Sequence, residues 1–145
     1  MTYKVWKVNG YLKDGRHVLK PIAVGARGLP TFRLPIATII DDLEGLEAFT
    51  RRMLDEEPAR TADEEETTEA IRQVFRALRI RSWKAMYRDC AAYDIVRVKS
   101  GVAFSRLKRD PKYGGFGGDD SYPPVPVDLA TPGQLGSLIR HAFYS

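Results

Sequence analysis

One cysteine, two histidines and no long apolar run are what this 145-residue chain has least of, and each scarcity closes off a class of protein. A lone thiol, Cys90, can neither form an internal disulfide nor build a structural zinc site by itself. No window of 18 consecutive apolar residues exists, so no membrane-spanning helix is expected. The opening MTYKVWKVNGYLKDGRH has neither the uninterrupted apolar stretch nor the small-residue cleavage site of a secretory signal, and the expected location is the cytoplasm. His17 and His141 belong to no catalytic motif. They could serve as acid and base in RNA cleavage, with Lys20 or Arg16 stabilising charge, but nothing in their spacing favours that pairing. The expectation is therefore a protein that is not an enzyme, with no catalytic residue, no metal and no cofactor.

What the chain does have is an ordinary globular composition, 43% hydrophobic and 29% charged, and a length that suits one domain. Its net charge of +4 conceals a strong asymmetry. Residues 41–70 hold twelve acids and three bases, whereas the remainder holds seven acids and twenty bases. Separate acidic and basic surfaces are expected, which bears on partner choice and association rate more than on fold.

The first forty residues read as a three-stranded meander. Tyr3, Val5, Trp6, Val8 and Tyr11 form a first run with a turn signal at Asn9-Gly10. His17–Val24 follows Asp14-Gly15 and contains Pro21, which favours an edge or a bulge, and Phe32–Ile40 is the third run. Asp41 or Asp42 then caps a helix with Leu43, Leu46, Phe49 and Met53 on one face, ending before Pro58. A second helix carries Ala70, Ile71, Val74, Phe75 and Leu78. Ser82 caps a short third helix with Trp83, Met86, Tyr87 and Cys90 on one stripe. A β-hairpin over Tyr93–Leu107 follows, then a loop over Lys108–Pro124 and a short strand at Val125–Val127. Thr131 as cap, Pro132 and Gln134 open a C-terminal helix whose core face is Leu135, Leu138, Ile139, Ala142 and Phe143. The expected fold is α+β: one domain over 1–145, with N-terminal antiparallel strands, two to three central helices, a β-hairpin and a C-terminal helix.

Four features invite a functional reading. Gly114–Gly118 matches neither the dinucleotide fingerprint nor the phosphate-binding loop, and Asp119-Asp120 directly after it would repel phosphate. Tyr113 and Phe116 between those glycines have the look of exposed anchors on a protein-contacting loop. Arg72, Arg76, Arg79, Arg81 and Arg88 could follow a nucleic-acid backbone, but they fall where a helix keeps its solvated face. Cys90 completes an apolar stripe and reads as core. The acidic stretch Asp55–Glu69 reads either as a solvated loop and helix start or as a surface that mimics phosphates and docks on a basic protein.

From Ala77 to Phe143, roughly half the chain, the sequence resembles the CdiI immunity proteins of bacterial contact-dependent growth inhibition. The resemblance is carried by Ser82-Trp83-Lys84, by Tyr93–Val98, by the basic run into Gly115–Asp120, and by the ending Pro126–Arg140. It implies a cytoplasmic protein that binds the C-terminal toxin domain of a cognate CdiA effector and inhibits it by covering the active site. Such toxins are often nucleases acting on RNA. No contact residue transfers by motif, so the expected toxin-binding residues are chosen by charge and exposure: Asp63, Glu64, Glu65, Glu66, Tyr113, Phe116, Asp119 and Asp120. No direct nucleic-acid, membrane or small-molecule partner is expected. The alternatives are a nucleic-acid-binding module using the Arg-rich helix, or a small nuclease.

Overall fold

The β-branched and aromatic runs at the two ends of the chain assemble into one antiparallel sheet, and the amphipathic segments between them become helices on its two faces. The computed structural model describes residues 4–25, 27–112 and 114–144, and its class is the α+β expected. The elements are β1 (Lys7–Lys13), β2 (Arg16–Val24), β3 (Pro30–Phe32), β4 (Ala37–Ile40), α1 (Leu43–Asp55), α2 (Glu64–Leu78), α3 (Trp83–Asp89), β5 (Ala91–Val98), β6 (Gly101–Asp110), β7 (Gly115–Gly118), β8 (Val125–Val127) and α4 (Gln134–Phe143). The strands run in the order β3-β2-β1-β5-β6-β7, with β4 also on β2 and β8 also on β6.

Alternation along β1 sorts the layers. Val8 and Leu12 face one way, where Leu19, Tyr93, Ile95 and Phe104 join Leu46, Phe49 and Met53 of α1 and Leu135 and Ile139 of α4. Tyr11 faces the other, where Val18 meets Val74 and Leu78 of α2, Met86 of α3 and Cys90. β2 is buried along nearly its whole length because helices cover both faces. Asp42, Asp63 and Ser82 cap α1, α2 and α3, each accepting from the backbone N–H three residues on.

Four readings are corrected. Asn9-Gly10 is mid-strand, and the tight turn is Asp14-Gly15, both residues with positive φ. Gly10 lies opposite Tyr93, and a Cβ there would overlap the Tyr93 ring, so the glycine serves close approach and not a turn. The run Phe32–Ile40 is two strands, because Arg33 turns inward between them and donates to Leu34 O, Pro58 O and Glu57, tying this connection to the segment after α1. Gly115–Gly118 is no loop but a strand, β7, hydrogen-bonded along Leu107–Asp110 of β6.

The fourth correction concerns α4. It starts at Gln134 with Gly133 as N-cap and no side-chain cap of its own. Thr131 instead donates to Asp128, and the Gln134 amide oxygen accepts from Asp128 N. The free N–H groups of the helix are met by Glu47 of α1, whose carboxylate accepts from Gly133 N at 3.0 Å and Gly136 N at 2.9 Å. Gly136 allows this crossing, since a Cβ there would stand 3.2 Å from that of Leu43. Glu47 is therefore a buried carboxylate balanced by a helix N-terminus. Glu47→Ala is expected to lower unfolding free energy by about 2 kcal/mol in urea titrations, with Glu47→Gln costing less because one acceptor remains.

Candidate functional site

The acids expected to meet a partner divide between two places. Asp63 accepts from Glu66 N at 2.8 Å as the cap of α2, while Glu64 and Glu65 are exposed and line a cavity of about 590 Å³ with Thr68, Glu69 and Arg72. Glu66 turns back toward the protein, pairing with Arg60 and accepting from Leu34 N at 3.1 Å. The Arg60 hydrogen bonds hold its carboxyl below the usual range. Asp119 accepts from Ser121 and pairs with Arg106 at 3.2 Å, and those hydrogen bonds likewise lower its carboxyl. Asp120 is exposed, and with Asp119 and Arg106 it lines a different cavity of about 220 Å³. Phe116 is half-buried, its ring 6.3 Å from Tyr11 and 5.4 Å from Tyr87, so it closes a core cluster where an exposed anchor was expected. Tyr113 lies outside the described residues. Asp63, Glu64, Glu65 and Asp120 are thus the exposed members of the expected set, and of these Asp63 is engaged as the cap of α2.

Sequence reasoning missed a polar row across the sheet. Lys20 of β2, Asn9 of β1 and Asp94 of β5 are consecutive cross-strand neighbours on the face that carries α2 and α3. Lys20 is 3% exposed, donates to Asn9 Oδ1 at 2.6 Å and sits 4.0 Å from the centre of the Phe32 ring. Asn9 donates on to Asp94, and Lys7 lies 3.7 Å from the same carboxylate. Burial pushes the Lys20 ammonium down to about 7, against the pull of Asp94, and pushes the Asp94 carboxyl up against Lys7, Asn9 and Lys20. Over Asn9 and Asp94 opens a cavity of about 330 Å³ walled by Tyr11, Phe32, Trp83, Tyr87 and Phe116. A carboxyl shifted by burial, Asp94, in an aromatic-walled cavity makes this a candidate binding site. The one trace of it in the sequence is the polar alternation Lys7, Asn9, Tyr11 beside an Asp inside a hydrophobic strand.

A third cavity, of about 610 Å³, brings both histidines together with Asp41, Arg140 and Tyr144. His17 is 2% exposed, with Nδ1 3.0 Å from the Tyr93 hydroxyl and Nε2 3.1 Å from the Tyr144 hydroxyl. Burial pulls it down to about 4, so it is neutral at pH 7 and both ring nitrogens are engaged. Cys90 is buried and its thiol is pushed up to about 11, the behaviour of a core residue. Arg72, Arg76, Arg79, Arg81 and Arg88 are exposed. Among the described residues no group of three His, Cys, Asp or Glu is placed to hold a metal ion, and no helix is long and apolar enough to cross a membrane.

A folded-state histidine pKa of about 4 against 6.5 when unfolded means that the unfolded chain binds more protons between those values. The His17 contribution is complete above pH 6.5 and is lost as pH falls toward 4. The expected slope is at most about 1.4 kcal/mol per pH unit. Urea midpoints of wild type and His17→Gln across pH 4–7 should converge as the pH falls, and a constant difference would contradict the assignment.

No protein-family model and no curated protein matches the chain. Among the solved structures that share its fold, two serve for comparison. One is a protein of unknown function from Neisseria meningitidis, 17% identical, with a TM-score of 0.66 over 99% of this chain and 98% of that one. The other is a chain of the CdiA-CT/CdiI toxin and immunity complex from Yersinia pseudotuberculosis, 15% identical, with a TM-score of 0.66 over the same shares. At these identities the likeness establishes a common fold over nearly the full length of each chain.

Proposed function

We propose that this chain is an immunity protein that acts in the cytoplasm, binding the C-terminal toxin domain of a cognate CdiA effector and neutralising it by covering its active site. The observation that carries the reading is the likeness over 99% of the chain to a chain of a toxin and immunity complex. The toxin it fits is a nuclease acting on RNA. Such an enzyme keeps a basic substrate groove, and the exposed Glu64 and Glu65 at the start of α2 supply the opposite charge, with Asp120 as a second acidic point. Charges at an interface rim act chiefly on the rate of encounter.

One observation favours a second reading, a small nuclease: His17 and His141 share a cavity with Arg140. The chemistry of His17 weighs against it. A ring pulled down to about 4 by burial, with both nitrogens hydrogen-bonded, is poorly matched to proton transfer near neutral pH.

Two experiments test the assignment. The toxin domain encoded beside this gene should bind the protein tightly by surface plasmon resonance, and Glu64→Lys with Glu65→Lys should slow association several-fold at low salt with unchanged circular dichroism. Loss of that difference in high salt would confirm its electrostatic origin. Purified protein incubated with RNA or DNA, with and without divalent metal, should leave both intact. Degradation abolished by His17→Ala or His141→Ala would establish the nuclease instead.

A further inference from the structure

Five rings on the side of the sheet that carries α2 and α3 touch one another in a closed circuit. Tyr11 lies 6.4 Å from Phe32, Phe32 5.7 Å from Trp83, Trp83 6.2 Å from Tyr87, Tyr87 5.4 Å from Phe116, and Phe116 6.3 Å from Tyr11. All five wall the cavity of about 330 Å³ over Asn9 and Asp94, so they form a collar around it. A regular pentagon with such sides has its centre about 5 Å from every ring, within the range at which aromatic rings pair. One further six-membered ring at that centre would have an aromatic partner on every side.

The floor decides what that ring carries. Lys7 and Asp94 both line the cavity and are paired at 3.7 Å, so the lining is balanced in charge. A carboxylate guest would face Asp94, and an ammonium or guanidinium guest would face Lys7. The balance admits a neutral guest. A wholly apolar one would strip water from the polar floor and return no hydrogen bond. Asp94 accepts from Asn9 at one oxygen and faces Lys7 at the other, and a carboxylate has roughly four lone-pair positions, so acceptor sites remain. The Tyr11 hydroxyl hydrogen-bonds to no described residue. Because no buried side-chain polar atom among the described residues lacks a partner, that hydroxyl is open to solvent. The floor thus calls for a donor to Asp94 and an acceptor for Tyr11. A phenol hydroxyl is both, whereas an indole N–H only donates.

The mouth and its surroundings favour a guest carried by a protein. Trp83, 40% exposed, is an aromatic wall that the free protein leaves in water. Tyrosine is among the side chains that most often anchor an interface by filling a pocket. Thr67 Oγ1 donates to the carbonyl of Phe32 at 3.3 Å, so the collar adjoins the start of α2, where Glu64 and Glu65 are exposed. A partner docked on those acids would lie over the same side of the sheet.

We propose that the aromatic collar is an anchor pocket of the immunity interface and that it receives a tyrosine side chain of the toxin domain, whose hydroxyl donates to Asp94 and accepts from Tyr11. The proposal rests on the immunity reading, and the experiment separates the two. Wild type, Tyr11→Phe and Trp83→Ala are titrated against the toxin domain encoded beside this gene, and each toxin tyrosine is in turn changed to Phe. Tyr11→Phe removes only an unpaired hydroxyl. Its unfolding midpoint should equal that of wild type, while the complex weakens about 5- to 10-fold. Trp83→Ala opens the collar and should weaken the complex about 30-fold or more, mainly through faster dissociation. One toxin tyrosine should lose affinity as Phe and couple to Tyr11→Phe by at least about 3-fold in a double-mutant cycle. Unaltered affinity for either variant, or no toxin tyrosine coupled to Tyr11, overturns the anchor pocket and leaves the immunity reading standing. Failure of wild type to bind the toxin domain overturns both. If Trp83→Ala does not fold, Tyr11→Phe and the toxin tyrosines decide by the same criteria.

Discussion

Tyr93 occupies the centre of the sheet with no exposed surface, and its ring lies over Gly10 on the neighbouring strand, where any side chain would collide with it. That single close approach sets much of the layer beneath. The ring packs at 5.7 Å from both Phe104 of β6 and Phe143 of α4, and the hydroxyl meets Nδ1 of His17 on β2. Four elements thus converge on one aromatic group. Aromatic pairs of this kind add roughly 0.5–1.5 kcal/mol each beyond the area they bury. His17 passes the contact on to Tyr144, which fastens the end of the chain to the sheet.

Elsewhere the fold is clasped by charged side chains that satisfy backbone groups. Arg33 joins the β3–β4 connection to the segment after α1. Glu47 holds the start of α4, and Arg109 donates to the carbonyls of Tyr87, Arg88 and Cys90 at the end of α3. At Arg33 and Glu47 a charge taken from water is met by polar atoms that would otherwise be unpaired at a helix end or a bend. The Lys20–Asn9–Asp94 row differs because it caps nothing. It is a charged ladder across the sheet, set beside an aromatic-walled cavity.

Much of the fold was legible in local chemistry. The caps at Asp42, Asp63 and Ser82, the apolar stripes of α1 and α2, the hairpin of β5 and β6, and the short β8 all follow from signals within a few residues of one another. Readings failed where a local signal was overruled at a distance. Asn9-Gly10 has turn chemistry, but the glycine answers to Tyr93, 83 positions on. Thr131-Pro132 has the chemistry of a helix start, but the donors of α4 are taken by Glu47. The glycines before Asp119 suggested a loop, yet they pair along β6. Of the acids chosen by charge, Glu66 and Asp119 are neutralised by Arg60 and Arg106, partners no spacing rule identifies.

By itself the sequence determined the α+β class, the positions of most elements, the scarcity of catalytic groups and the separation of acidic from basic segments, because these depend on composition, on periods of 2 and 3.6 residues and on capping within one turn. Which acids remain exposed, how α4 is capped and where a cavity opens were decided only by the tertiary structure. The β1–β2 hairpin sets Lys20 beside Asn9, the pairing of β1 with the sequence-distant β5 brings Asp94 to the same row, and burial then shifts Lys20 and Asp94. Register and burial are properties of the assembled sheet, and no local run of residues encodes them.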